Sequence, residues 1–149
     1  MGVSAVRKAR NEDLARIAEI FIFNYRLYFY PIFRNDGFYF EELQVPAVMA
    51  WFADSLEHIR VYDDGVVKGF IHGEGQEVRR LFVEPVLHSA GIGGQLLEQA
   101  IAAQGVNRLW ALEKNLRAIA FYQRYGFRLT DKRKPEEDTD EYLVLLERA

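Results

Sequence analysis

The chain has 149 residues, 50% hydrophobic and 28% charged, with a formal net charge of −3 and no cysteine. That length fits one domain, residues 1–149, too apolar to be disordered and able to bury roughly 70% of its unfolded surface without cross-links. A chain without cysteine has no disulfides, thiolate metal sites or cysteine nucleophile, which is compatible with a cytoplasmic location. Nineteen Lys and Arg against 22 Asp and Glu leave no electrostatic footprint for nucleic acid. No apolar run approaches the roughly 18 residues that span a bilayer, so no membrane partner is expected. The first residues lack a signal-peptide core, and Val6 stands where a myristoylation signal needs Ser or Thr.

In chain order, Val3 to Ala9 reads as a first strand. Asn11 is suited to cap a helix in which Leu14, Ile17, Ala18, Phe21 and Tyr25 recur at helical spacing. That helix is predicted to reach about Tyr28 and to break before Pro31. Phe33 to Phe38 is a turn-rich connection, and Glu42 to Leu56 a second helix that tolerates Pro46 only in its first turn. His58 to Tyr62 and Val66 to His72, joined by Asp63-Asp64-Gly65, read as a hairpin. Glu77 to Val83 is a further strand, ended by Pro85, and helical spacing returns at Ile92, Leu96, Leu97, Ala100 and Ile101. Arg108 to Leu112 is a strand, and Leu116 to Tyr125 a helix stopped by Gly126. Phe127 to Lys132 and Tyr142 to Glu147 close the chain as strands, with the charged stretch Lys132 to Glu141 a solvated loop. The order is βααβββαβαββ: a mixed α/β architecture with a parallel βαβ unit from Glu77 to Leu112 inside a mostly antiparallel sheet with flanking helices.

The segment Leu81-Phe82-Val83-Glu84-Pro85-Val86-Leu87-His88-Ser89-Ala90-Gly91-Ile92-Gly93-Gly94 runs a strand into a glycine turn that opens a helix. A helix start carries unpaired N–H groups and the positive end of the dipole, and glycines let a phosphate approach them. A Rossmann fingerprint would need glycine at position 96, where Leu96 stands; a Walker loop would need Lys after Gly94, where Gln95 stands. A nucleotide-binding module is therefore disfavoured, while a glycine turn by itself is equally a tightly packed helix start.

A second segment follows: Asn115, Ala118, Phe121, Tyr122, Tyr125, Gly126 and Phe127 form Asn-x-x-Ala-x-x-Phe-Tyr followed by Tyr-Gly-Phe. With His88-Ser89-Ala90-Gly91-Ile92-Gly93 against Arg/Gln-x-x-Gly-x-Gly/Ala, the pair resembles the GNAT superfamily of acyl-CoA-dependent N-acyltransferases. His88 departs from the Arg or Gln of that pattern, so less charge assistance is expected there.

The resemblance implies direct attack of an amine on the thioester of acetyl-CoA in a ternary complex, with no metal. Leu81, Phe82 and Val83 would lie along the pantetheine arm, between strands splayed on either side of the glycine helix. His88, Ser89, Ala90, Gly91, Ile92, Gly93 and Gly94 would hold the pyrophosphate, and Asn115, Ala118 and Phe121 would complete the cofactor site. Tyr122 would be the general acid for the leaving thiolate; helical spacing alone makes it a core tyrosine. Glu77 is the first candidate for general base, with Glu74, Glu113 and His72 as competitors or a water relay in its place. His58, His72 and His88 show no metal-ligand spacing.

The acceptor is a small-molecule or peptide amine that the sequence does not identify, and related enzymes leave a homodimer open. Ten aromatic residues fall between Phe21 and Phe40. Phe21 and Tyr25 lie on the core stripe; Tyr28, Tyr30, Phe33 and Tyr39 are expected to line an acceptor pocket, against a lid or dimer surface as the alternative. A non-catalytic acyl-CoA-binding sensor domain is the alternative to an enzyme.

Overall fold

The computed structural model describes residues 5–88 and 90–149; Val3 and Ser4 of the expected first strand, and Ser89 of the glycine loop, lie outside the described residues. Seven strands form one sheet: β1 (Val6–Lys8), β2 (Ile59–Asp63), β3 (Val67–Glu74), β4 (Glu77–Val83), β5 (Arg108–Leu112), β6 (Phe127–Pro135) and β7 (Tyr142–Arg148). They are ordered β1-β2-β3-β4-β5-β7-β6, and only β4 and β5 run parallel. The expected mixed sheet with one parallel βαβ unit is therefore present, and β4 and β5 start and stop where the sequence places them.

Two apolar cores cover the two faces. α1 (Leu14–Asn24) and α3 (Val45–Ala53) bury Ile17, Phe21, Val48 and Phe52 with Ile59, Val61 and Phe70. On the other face α4 (Ile92–Gln104) and α5 (Leu116–Arg124) bury Leu96, Leu97, Ile119 and Tyr122 with Ile71, Val78 and Leu109. A register shift in the β3–β4 ladder lies between His72, opposite Arg80, and Gly73, opposite Val78, so Arg79 is an extra residue on β4. The bulge reverses the alternation of β4. Val78, Leu81 and Val83 face α4 and α5, whereas Arg80 and Phe82 sit with the aromatic core under α1 and α3.

Three local expectations need correction. The first helix does not break before Pro31: Tyr25–Phe29 widens into a π turn, and α2 (Tyr30–Phe33) continues with Pro31 in its first turn. A wider turn moves away the carbonyl that a proline ring would strike in a regular α-helix. The second helix is shorter than Glu42 to Leu56, because Gly37–Glu42 forms its own π turn and Leu43 leaves helical geometry before α3. Finally, β6 extends to Pro135, through part of the stretch read as a loop. It is one of the two edge strands of the sheet, where charged residues are the usual guard against further pairing, so its sequence carries no apolar alternation.

Candidate active site

β4 and β5 pair only at Glu77 with Arg108 and Val78 with Leu109, then diverge. α4 connects them, and its first turn stands at the open end. The Glu84 N–H bonds the Lys68 carbonyl at 2.8 Å, so by the alternation of an antiparallel ladder Phe82 is paired to β3, while the backbone groups of Leu81 and Val83 turn toward the gap. The Val83 carbonyl is held from the side by Asn24 Nδ2 (2.9 Å) and His88 Nε2 (3.0 Å). Asn24 is fully inside the protein and also donates to the Ile20 carbonyl at 2.8 Å, so it ties α1 to the end of β4.

A cavity of about 500 Å³ fills the gap, walled by Leu81, Phe82 and Val83, by the first turn of α4, and by Asn115, Ala118, Phe121 and Tyr122 of α5. Gly91 precedes α4 at φ +83°, left-handed backbone that favours glycine, and its carbonyl accepts from Gln95 N at 3.1 Å. The N–H groups of Ile92, Gly93 and Gly94 therefore have no partner within the helix and border the cavity. Gly94 is required for another reason: a Cβ there would fall on the Tyr125 hydroxyl and 2.8 Å from its Cζ. Asn115 caps α5, its Oδ1 accepting from Ala118 N at 3.2 Å. Ala90 is exposed beside the loop and is not part of the cavity wall.

His88 lines the same cavity, but not as a free donor. A carbonyl can only accept, so Nε2 carries the proton toward Val83, and Nδ1 accepts from the Tyr28 hydroxyl at 3.1 Å. The two rings stack with centroids 5.4 Å apart, and burial pushes the His88 pKa down, which favours this neutral form. The expected hydrogen bond from His88 to a phosphate is thus replaced by a structural one. Positive charge at this cavity comes instead from Arg117, whose Cζ lies 5.0 Å from the centre of the Tyr28 ring, and from Arg124, 5.7 Å from that of Phe121.

A second cavity of about 670 Å³ opens on the other side of the split. It shares Leu81, Phe82, Ala118 and Tyr122 with the first. Tyr122 is buried, and burial raises its hydroxyl pKa above the usual phenol value. Among the described residues no protein group hydrogen-bonds that hydroxyl. Of the four residues considered as a base, Glu77 alone borders the second cavity, where its Oε2 is 3.1 Å from Arg79 Nε. Glu113 is held by Arg133 at 2.8 and 3.0 Å, and His72 is buried against Glu74 at 2.9 Å, away from both cavities.

The aromatic segment divides. Phe33 and Tyr39 border the second cavity, together with Tyr25, Phe29 and Phe38. Tyr25, read as core, stacks on Phe21 at 4.0 Å and presents itself to the cavity. Tyr28 belongs to the first cavity through His88, and Tyr30 borders neither, donating its hydroxyl to Asp36 at 2.6 Å. Sequence reasoning did not find Asn24, Arg80, Arg117 or the acids Glu136, Glu137 and Asp138 of the second cavity. The last three sit in the stretch taken for a solvated loop, and nothing in their local pattern marks them. Among the described residues no group of three or more His, Asp or Glu is placed to hold a metal ion.

A seven-stranded mixed sheet, split at its parallel pair by a helix that opens on glycines, is the architecture of the GNAT acyltransferases. The Acetyltransferase (GNAT) domain family matches residues 54–129, just over half of the chain, and the chain belongs to that family. It is 28% identical over 87 residues to the peptidyl-lysine N-acetyltransferase YjaB of Salmonella typhimurium; the match spans 58% of this chain and 60% of that protein. The solution structure of apo YjaB from Escherichia coli superposes with a TM-score of 0.72 at 22% identity, covering 99% of this chain and 97% of that one. PaiA N-acetyltransferase from Thermoplasma acidophilum, solved in complex with coenzyme A, gives 0.67 at 21% identity over 95% and 97% of the two chains. These two structures show the fold.

Proposed function

We propose that the chain is an acetyl-CoA-dependent N-acetyltransferase, one acyltransferase domain that moves an acetyl group to a primary amine by direct attack. The carrying observation is that two cavities on opposite sides of the split sheet share a wall at Leu81, Phe82, Ala118 and Tyr122. Family membership, a CoA-bound structure of the same fold and a relative named for lysine acetylation support the choice of substrates.

The first cavity fits acetyl-CoA on its own evidence. The unpaired N–H groups of Ile92, Gly93 and Gly94 suit a pyrophosphate, with Arg117 and Arg124 as added charge. Leu81 and Val83 turn backbone groups toward the gap, as an amide-bearing arm requires, and Asn115, Ala118 and Phe121 form the opposite wall. When bound, acetyl-CoA supplies a thioester whose acyl carbon is open to an amine. The new C–N bond forms as the C–S bond breaks. Tyr122, a phenol that is protonated at neutral pH, gives its proton to the departing sulfur, and the proton lost by the amine leaves through Glu77 or water. Phe33 and Tyr39 border the acceptor side.

Tyr122→Phe keeps the ring and removes the acid. It should lower kcat by about 10²–10⁴-fold while leaving the acetyl-CoA Kd within about twofold. Thiol release from acetyl-CoA with a panel of amines, and titration of the cofactor, check both halves. An equal loss of cofactor binding would make Tyr122 structural. Binding of acetyl-CoA with no thiol release for any amine would reduce the chain to a sensor domain.

A further inference from the structure

Arg80 stands in the wall of the second cavity, and the proposed reaction gives it no task. The bulge at Arg79 turns it away from the α4 face and sets its guanidinium over the Phe21 and Phe52 rings, with Cζ 5.6 and 5.4 Å from the ring centres. Its Nε is buried without a hydrogen-bond partner, and the guanidinium lies at the Tyr25 hydroxyl, a neutral group that leaves its charge unpaired. Among the described residues Arg80 forms no ion pair, unlike its neighbour Arg79, which holds Glu77. Lys134 in the same cavity lies 4.3 Å from the centre of the Trp110 ring. Glu136 borders the same cavity but does not come within ion-pair distance of Arg80.

A guanidinium nitrogen shut away from water favours a matched partner, and the planar fork matches a carboxylate best. The wall carries acids that suit an ammonium group, but Arg80 among its cations is left without an acidic partner. We infer that the acceptor carries a carboxylate as well as the amine, and that Arg80 binds this carboxylate in the second cavity. The chemical class is an amino acid, or a peptide with an acidic group close to the acceptor amine. Glu136, Glu137 and Asp138 face the same space and draw in the ammonium end, so both charges of such a molecule are matched. The inference rests on the acetyl-transfer reading for its chemistry, and on the cavity alone for its binding.

The test pairs each amino acid with the amine left when its carboxylate is removed: lysine with 1,5-diaminopentane, ornithine with 1,4-diaminobutane, and an acidic lysine peptide with its amidated form. For the wild-type protein the KM in thiol release should be about 10- to 100-fold lower for the carboxylate member. Arg80→Leu should erase that difference with the KM for acetyl-CoA unchanged, and Arg80→Lys should keep part of it. The free amino acids against the peptides tell a small substrate from a protein one. Equal KM values within each pair in the wild type, or a preference that survives Arg80→Leu, overturn the inference; the wild-type comparison decides even where the variant does not fold. If no amine releases thiol, the acetyl-transfer reading fails separately. The thermal shift of CoA-saturated protein then decides: a shift with lysine but not diaminopentane, lost in Arg80→Leu, upholds Arg80 as the carboxylate site, and no difference overturns it.

Discussion

Gly93 and Gly94 stand side by side in the first turn of α4, yet the structure asks different things of them. A Cβ on Gly93 would lie 3.4 Å from Phe121 Cζ and 3.6 Å from Val83 Cγ2, ordinary contacts. A Cβ on Gly94 would fall on the Tyr125 hydroxyl and 2.8 Å from Cζ, so either the ring or the helix must move. Replacing a helical glycine by alanine gains about 0.5–1 kcal/mol from backbone entropy. Overpacking costs about 1–3 kcal/mol. Gly93→Ala should therefore raise Tm, by about 1–4 °C at this chain length. Gly94→Ala should lower stability by up to about 2 kcal/mol, the difference between the two effects. It should also weaken acetyl-CoA binding, because Tyr125 borders the first cavity and its displacement enters that space. Adding Tyr125→Phe removes the atom that the new methyl strikes, and should return part of both losses. Calorimetric melting and cofactor titration on the three variants check this. Equal behaviour of the two alanine variants, or no recovery in the double variant, would refute the packing argument.

Burial raises the Tyr122 pKa and pushes that of Tyr39 up to about 12, so the unfolded chain ionises first as pH rises. Their contribution is fully present below pH ~10 and is lost as pH climbs toward the folded values. Urea midpoints between pH 8 and 11 should fall, and Tyr122→Phe should flatten the fall; an unchanged slope would show that Tyr122 is not desolvated. Asn24→Ala removes donors to both the Ile20 and Val83 carbonyls and should cost about 1–3 kcal/mol, read by urea denaturation. Asn24→Asp should be worse than alanine, since a carboxylate would face two carbonyl oxygens. If aspartate were tolerated, the clamp on β4 would be wrong.

Much of the fold was legible for local reasons. β4 and β5 are short segments with β-forming residues and clear stops, and Gly126 ends α5 at φ +89° as its position after Tyr125 suggests. The glycine turn and the Asn115–Phe127 segment carried the family resemblance because both are local patterns, set by neighbours in the chain. The π turn at Tyr25–Phe29 was not legible: proline rules assume a regular α-helix, and only packing of the aromatic segment decides that the helix widens instead. The edge strand β6 escaped because exposure removes alternation from its sequence.

By itself, then, the sequence determined the order of elements, the parallel βαβ unit and the place of the anion-ready turn, all set by periodicity and by residues that start or stop a helix or strand. Tertiary structure alone decided what faces what. One extra residue, Arg79, reverses the sides of β4 and delivers Arg80 and Phe82 to the aromatic face. His88 is turned from an expected phosphate donor into a bridge between Tyr28 and Val83. Glu136 and Arg80 border one cavity although they stand 56 positions apart in the chain. Such contacts depend on strand register and on the packing of distant elements, and a local pattern of residues records neither.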